Sequence, residues 1–197
     1  MNRTTKLKLG YLAAFLIVGT IAVTTVASID IGSPESRVIV VVLVLLIPGR
    51  LQGYFFREFF RGRKLLDERR ASEALVHFQQ FLSSVRSRRW LKPMVWLSWA
   101  TYTPDIEAMT VNNIGAAHLE LGHFDESETA FREALAIDKQ YAIPHFNLAV
   151  LHEMRGNNTL AIESVAEANR LGFSGGTIDI VLTRAQALLA KVEGRGV

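Results

Sequence analysis

Residues 108–173 read AMTVNNIGAAHLELGHFDESETAFREALAIDKQYAIPHFNLAVLHEMRGNNTLAIESVAEANRLGF. Two copies of one 34-residue pattern lie within this stretch. The equivalent positions are Ile114-Gly115 and Leu148-Ala149, His118 and His152, Gly122 and Gly156, and Ala134 and Ala168. Small and apolar residues recur at helical spacing, and a glycine divides each copy near its middle. The pattern therefore predicts a helix–turn–helix unit repeated in tandem.

This spacing resembles the tetratricopeptide repeat (TPR), whose units carry a bulky residue, Leu-Gly, Tyr, Gly, Ala, Phe and Ala in that order. Residues 108–138 match the pattern well, and residues 142–173 match it with more departures. Val111 and His145 stand at the first bulky position, and Lys139 stands where proline is usual. The resemblance implies an all-α solenoid that acts as a binding scaffold, and it implies no particular reaction.

The composition excludes several classes of protein. The chain has 197 residues and no cysteine, so it has neither disulfides nor cysteine-ligated metal sites. It carries 22 Lys and Arg against 19 Asp and Glu, a net charge of +3. This balance does not favour nucleic acid as a partner.

An uncharged segment follows the basic N-terminus. Leu9–Ser28 contains 20 residues without a charged side chain, and Arg3, Lys6 and Lys8 precede it. As a helix this segment spans about 30 Å, the thickness of a bilayer's hydrocarbon core. We predict an uncleaved transmembrane helix at residues 9–28. A signal peptide and a buried core helix are the alternatives.

A second apolar run begins shortly afterwards, at residues 38–48. A helix extended to residue 53 has the length of a span, with Arg50 near the interface and Tyr54 and Phe55 at the headgroup level. Residues 1–53 are therefore predicted to form a transmembrane helical hairpin, with helices at about 9–28 and 38–53. A β-strand or buried helix at 38–48 is the alternative.

The flanking charges predict the topology of this hairpin. Basic residues precede the first helix and follow the second, whereas the turn at 29–37 is mixed in charge. Because positively charged segments stay in the cytoplasm, both termini and the TPR units are expected there. We expect an integral protein of a bacterial plasma membrane that contacts membrane lipid.

The repeat frame also extends towards the N-terminus. A unit that starts at residue 55 places Gly62, Ala74 and Phe78 on the small, Ala and Phe positions, with Arg61 where leucine is usual. Residues 54–86 are thus predicted to be a degenerate first TPR-like unit, as terminal repeats often are.

An insert at 87–107 separates this unit from the next one. It contains all three tryptophans, Trp90, Trp96 and Trp99, behind several basic residues. Aromatic and basic residues close to a membrane helix are typical of a helix in the interface. Packing of the rings on the repeat array is the alternative.

The C-terminal segment at 174–197 is predicted to be a capping helix and a tail. An apolar stripe includes Val181, Ala185 and Leu188, and Thr177 or Ser174 can cap the helix start. A helix is needed there because the last repeat would otherwise expose an apolar face.

The resemblance implies a concave groove lined by the first helices of successive units. Asn113 and Asn147 are its predicted polar anchors, because an amide both donates to and accepts from a peptide backbone. The alternative is that both side chains only form hydrogen bonds within the array. The two groove helices carry no Lys or Arg, which disfavours a clamp for a terminal carboxylate and favours a neutral or apolar ligand. The predicted groove residues are Asn112, Asn113, Ala116, Leu119, Glu120, Phe146, Asn147, Val150 and Glu153.

No catalytic, cofactor or metal motif is present in the sequence. His145, His152 and Glu153 on one predicted helix are too few convergent ligands for a metal site. The sequence therefore favours a non-enzymatic, membrane-anchored TPR adaptor that binds a protein or peptide partner. A self-associating structural component of a membrane complex, with a possible homo-oligomer, is the alternative.

Overall fold

The computed structural model describes residues 3–28, 33–97 and 103–194. These residues form nine α-helices and one 3₁₀ helix without any β-strand, so the all-α prediction is confirmed for them. The helices are α1 (Arg3–Ser28), α2 (Pro34–Phe55), α3 (Arg57–Asp67), α4 (Ala71–Ser87), the 3₁₀ helix (Arg89–Leu97), α5 (Ile106–Leu121), α6 (Phe124–Ile137), α7 (Ala142–Met154), α8 (Asn158–Arg170) and α9 (Ile178–Glu193).

The first helix has the properties of a membrane span. Within α1, Thr5–Val26 has a mean hydropathy of 2.1, and only 11% of its most apolar window is buried. A core helix of a soluble protein would be buried, whereas a signal sequence or a membrane anchor would not be. Among the described residues this is the single candidate span, so the fold supports one of the two predicted spans.

The second helix is longer than the sequence predicted. α2 begins at Pro34 rather than at residue 38, because the Ser33 hydroxyl accepts a hydrogen bond from the Ser36 amide and proline suits the first turn. It ends at Phe55, and only Phe56 separates it from α3. Phe56 is almost fully buried, so α2 leads directly into the packed part of the protein.

Three helix pairs follow, α3–α4, α5–α6 and α7–α8, and each pair packs closely. Their apolar side chains form two buried clusters. The first joins the end of α2, α3, α4 and the 3₁₀ helix to α5 and α6. The second joins α5 and α6 to α7, α8 and α9. Since both clusters share α5 and α6, the middle pair connects the two ends of the array.

The insert packs on the array, as far as it is described. Leu91 and Val95 of the 3₁₀ helix are buried in the first cluster, and the Gln52 side-chain amide donates to the Met94 carbonyl at 3.1 Å. The predicted α-helix is a 3₁₀ helix here. Trp99 lies outside the described residues, as does the side chain of Trp96.

Candidate partner-binding surface

Within each unit, one small residue lets the two helices approach. A Cβ atom added at Gly115 of α5 would lie 2.6 Å from the Phe131 ring of α6. The same addition at Gly62 of α3 would lie 2.7 Å from the Phe78 ring of α4. Helices α3 and α4 thus approach each other through the same pair of residue types as α5 and α6, and the TPR-like unit at 54–86 stays a prediction.

In the third unit, a different pair of residues lies at the contact between the two helices. At the positions of Gly115 and Phe131 it has Ala149 and Val165, both buried. The extra methyl group of alanine faces a smaller partner side chain, so the helix separation can be kept. Each pair thus balances the volume between the two helices.

The first helices of the units, α3, α5 and α7, carry the predicted groove residues or their equivalents. Asn147 of α7 donates its side-chain amide to the Asn112 carbonyl oxygen of α5 at 2.9 Å, and both side chains are buried. The expectation that Asn147 offers its amide to a peptide does not describe this state, because the amide is engaged between two units. Asn113, the other predicted anchor, is half-buried.

Helix α9 covers a large part of the concave face. Its residues Val181, Ala185 and Leu188 share a buried cluster with Leu119, Phe146 and Val150. The start of α9 is capped by Thr177, whose hydroxyl accepts from the Ile180 amide at 3.3 Å. Three predicted groove residues therefore belong to a buried cluster that includes the chain's own C-terminal helix, a placement that periodicity does not reveal.

The far end of α9 reaches α5. The Lys191 ammonium lies 2.6 Å from the Glu120 carboxylate, and both side chains are mostly buried. A Cβ at Gly122 would lie 2.8 Å from Val192. Glu153, the last predicted groove residue, is half-buried on α7.

A cleft of about 630 Å³ remains open between the end of α3, the middle of α5 and α9. Of the predicted groove residues, Ala116 and Glu120 line it. Leu66 and Arg69 line it from the first unit, and Ile180 and Arg184 line it from α9. Sequence reasoning missed these four because it considered only the helices of the two well-matched units.

One of these four residues, Arg69, could have been identified from the repeat frame of the sequence. Arg69 occupies the turn position that Gly122 and Gly156 occupy in the later units. All three have a positive φ: 65° at Arg69, 80° at Gly122 and 74° at Gly156. A non-glycine residue in this conformation costs about 1–2 kcal/mol. Arg69 is thus the position at which the turn of the first helix pair departs from glycine.

The predicted interface residues lie where α2 meets the 3₁₀ helix. Phe55 packs edge-on against Tyr54 and Trp90, with ring centroids 5.2 and 4.9 Å apart. Tyr54 and Trp90 are 65% and 53% exposed. Arg50 is exposed on α2. These four residues form a patch of aromatic and basic side chains beside the apolar part of α2.

Two basic residues near the insert have a different role. The Lys92 ammonium and the Arg86 guanidinium lie 2.6 and 2.9 Å from the carboxylate of Glu107 on α5. Burial alone would raise the pKa of Glu107, but hydrogen bonds from Lys92 and Arg86 lower it. Arg86 also pairs with Glu133 of α6. These contacts attach the insert to the second unit.

The histidines form no metal centre in the described part of the chain. No group of three or more potential ligands converges there. His152 is buried, and no described group hydrogen-bonds with its Nδ1 atom. Desolvation lowers the pKa values of His118, His145 and His152. These three side chains therefore favour the neutral form in the fold.

The helix pairs, their glycine-mediated packing and the concave face define a helical repeat scaffold. The family model of the tetratricopeptide repeat matches residues 108–141, the unit formed by α5 and α6. The chain thus contains a tetratricopeptide-repeat unit at these residues. No curated protein matches its sequence significantly. TPR units typically serve as non-enzymatic scaffolds for protein–protein interaction.

Proposed function

We propose that this protein is a membrane-anchored adaptor that holds a partner protein at the cytoplasmic face of the membrane. The TPR unit at 108–141, beside an open cleft on its concave side, carries the proposal. Concave surfaces of helical repeats are the usual binding surfaces of such proteins.

The apolar surface of the first two helices supports the anchor. Large apolar side chains are exposed along α1 and also along α2. A contiguous apolar surface of this size is unfavourable in water and favourable in a bilayer. On α2 the exposed residues are Val38, Ile39, Val42, Leu43, Leu46, Ile47 and Leu51.

The boundary of this apolar surface has the chemistry of a headgroup region. Tyr54 and Trp90 are exposed at the end of α2, and the Arg57 guanidinium lies 5.7 Å from the centroid of the Tyr54 ring. Aromatic and basic residues are enriched where a span meets water. We infer that α1 and α2 cross the bilayer as a hairpin and that Arg50, Tyr54, Phe55 and Trp90 lie at the cytoplasmic interface. Trp96 and Trp99 remain predicted interface residues.

Cysteine labelling tests this topology, because the chain has no native cysteine. Ser33→Cys places a thiol between α1 and α2, and Ser174→Cys places one between α8 and α9. In intact cells, a membrane-impermeant maleimide should label Ser33→Cys alone, whereas both should react after lysis. Protection of both thiols in intact cells would contradict the hairpin. The intact mass of the protein reports any cleavage of residues 1–27.

Co-purification tests the binding surface. Ala116→Arg places a long charged side chain in the cleft, and Ala166→Arg is a matched control on the exposed side of α8. A specific partner should be retained by wild type and Ala166→Arg and lost from Ala116→Arg in mild detergent. Equal capture by all three proteins would exclude the cleft as the interface. A stable homo-oligomer without a foreign partner would favour the structural alternative.

A further inference from the structure

The open cleft contains two arginines that are far apart in sequence. Arg69 comes from the turn between α3 and α4, and Arg184 comes from the middle of α9. Leu66, Ala116 and Ile180 provide apolar surface in the same cleft. The cleft thus combines apolar walls with two arginines and with the carboxylates of Asp67, Glu120 and Asp179.

Neither guanidinium forms an ion pair among the described residues. The carboxylate of Glu120 also lines the cleft, but Lys191 already lies 2.6 Å from it. Asp67 and Asp179 line the cleft too, and neither forms an ion pair with Arg69 or Arg184. The Arg184 guanidinium lies 5.8 Å from the centroid of the Phe146 ring, which orients it without neutralising its charge.

Arg184 lies in a partly desolvated setting with charges of both signs nearby. Although part of the side chain is exposed, desolvation by the cleft walls lowers its pKa. The negative charge of Glu120 opposes this effect, and the positive charge of Arg69 adds to it. A carboxylate bound near both guanidinium groups would stabilise their charged forms. Arg69 also adopts a backbone conformation in which the other two units have glycine.

We propose that the cleft binds an acidic segment of the partner protein, with an aspartate or glutamate side chain held by Arg69 and Arg184. An apolar side chain beside the carboxylate would contact Leu66, Ala116 and Ile180. Arginine forms two parallel hydrogen bonds with a carboxylate, and such bonds are strengthened in a partly enclosed site. This inference rests on the proposed function and specifies the chemistry of the partner.

A peptide selection tests the proposal on the full chain in detergent. Phage that display random heptapeptides are selected on wild type, Arg69→Gly and Arg170→Gln. Arg69→Gly restores the residue of the other turns, so this variant should fold at least as stably as wild type. Arg170→Gln removes an exposed arginine of α8 and serves as the control. Peptides selected on wild type should be enriched in Asp or Glu next to an apolar residue.

The selected peptides are then synthesised with acetylated and amidated ends, so that their only carboxylates are side chains. Arg69→Gly and Arg184→Gln should each weaken binding by about tenfold or more, the usual effect of losing a hydrogen bond to a charged group. Arg170→Gln should leave the affinity unchanged. Replacing the peptide's glutamate with glutamine should reproduce the loss in wild type and have a smaller effect in Arg69→Gly.

Other outcomes separate the two proposals. If the selected peptides show no acidic enrichment and Ala116→Arg abolishes their binding, the acidic-segment inference is overturned. The same result would support the cleft as the binding surface. Binding only of peptides with a free C-terminal carboxylate would overturn the side-chain assignment. Failure to select any peptide that depends on Ala116 would count against both proposals.

Discussion

At the scale of single residues, two side chains, one from each helix, together fill the space where paired helices meet. Gly115 and Phe131 in the second unit correspond to Ala149 and Val165 in the third. The glycine is required because the Phe131 ring already fills the space that a methyl group would take. The two residues should therefore depend on each other energetically.

Gly115→Ala is expected to destabilise the protein by about 1–2 kcal/mol, since overpacking outweighs the better helix propensity of alanine. Combined with Phe131→Val, which recreates the pair of the third unit, the substitution should cost about 1 kcal/mol less than the sum of the single effects. Chemical denaturation of the four proteins measures this coupling. Gly156→Ala, which has open space around it, should show no coupling with Phe131→Val. Additive effects at 115 and 131 would contradict the packing argument.

His152 makes the stability depend on pH. Desolvation lowers its pKa in the fold, so the unfolded chain, with a histidine pKa of about 6.5, binds more protons between the two values. The stability that the neutral His152 side chain contributes is therefore present above about pH 6.5 and is lost as the pH falls towards the pKa of His152 in the fold. His152→Leu should lose less stability than wild type between about pH 7.5 and 5. Equal pH dependence of the two proteins would show that His152 is not responsible.

At the scale of helices, charge pairs rather than apolar burial alone attach the insert to the second unit. The Glu107 carboxylate forms ion pairs with Lys92 of the 3₁₀ helix and with Arg86 of α4. Its side chain is 13% exposed, so solvent screens the pairs only in part. The insert therefore connects α4 and α5 to the end of α2.

Glu107→Gln should destabilise the array by about 1–3 kcal/mol, because two cations lose a common partner. It should also increase proteolytic cleavage within residues 88–105, which can be followed by mass spectrometry. Glu133→Gln is the matched control, since the Glu133 side chain is 45% exposed and pairs with Arg86 alone. A similar cleavage rate in both variants would show that Glu107 does not hold the insert.

At the scale of the whole molecule, α9 packs against the helices of the second and third units and is part of their core. It packs on α7 and reaches α5 and α8, so it belongs to the core of the second and third units. The same placement narrows the concave face to the cleft between α3, α5 and α9. Stability and the shape of the candidate binding surface thus depend on one helix.

Truncation after Phe173 should expose Phe146, Val150 and Leu119, and the truncated protein should unfold at a lower temperature and tend to aggregate. Truncation after Glu193 leaves α9 intact and is the control. Thermal unfolding and size-exclusion chromatography in detergent compare the two proteins with the full chain. If the shorter protein kept the stability of the full chain, α9 would not be part of the core.

The sequence alone determined the elements that depend on local periodicity. The helices of the repeats, their glycine turns and the long apolar α1 all follow from spacing within a few residues. The sequence offered Thr177 or Ser174 as the cap of α9, and the fold uses Thr177. The frame of residues 54–86 also follows, because Gly62 and Phe78 repeat the positions of Gly115 and Phe131. A periodic pattern indicates which face of a helix is apolar, and this face is the one that becomes buried.

Only the tertiary structure decided what covers each face. Asn147 bonds Asn112 because two units stack, and Phe146 is buried because α9 returns over α7. Arg69 and Arg184, separated by more than 100 residues, meet in one cleft for the same reason. The direction of a C-terminal helix is set by the sum of many weak apolar contacts with distant helices. No short stretch of sequence contains that information.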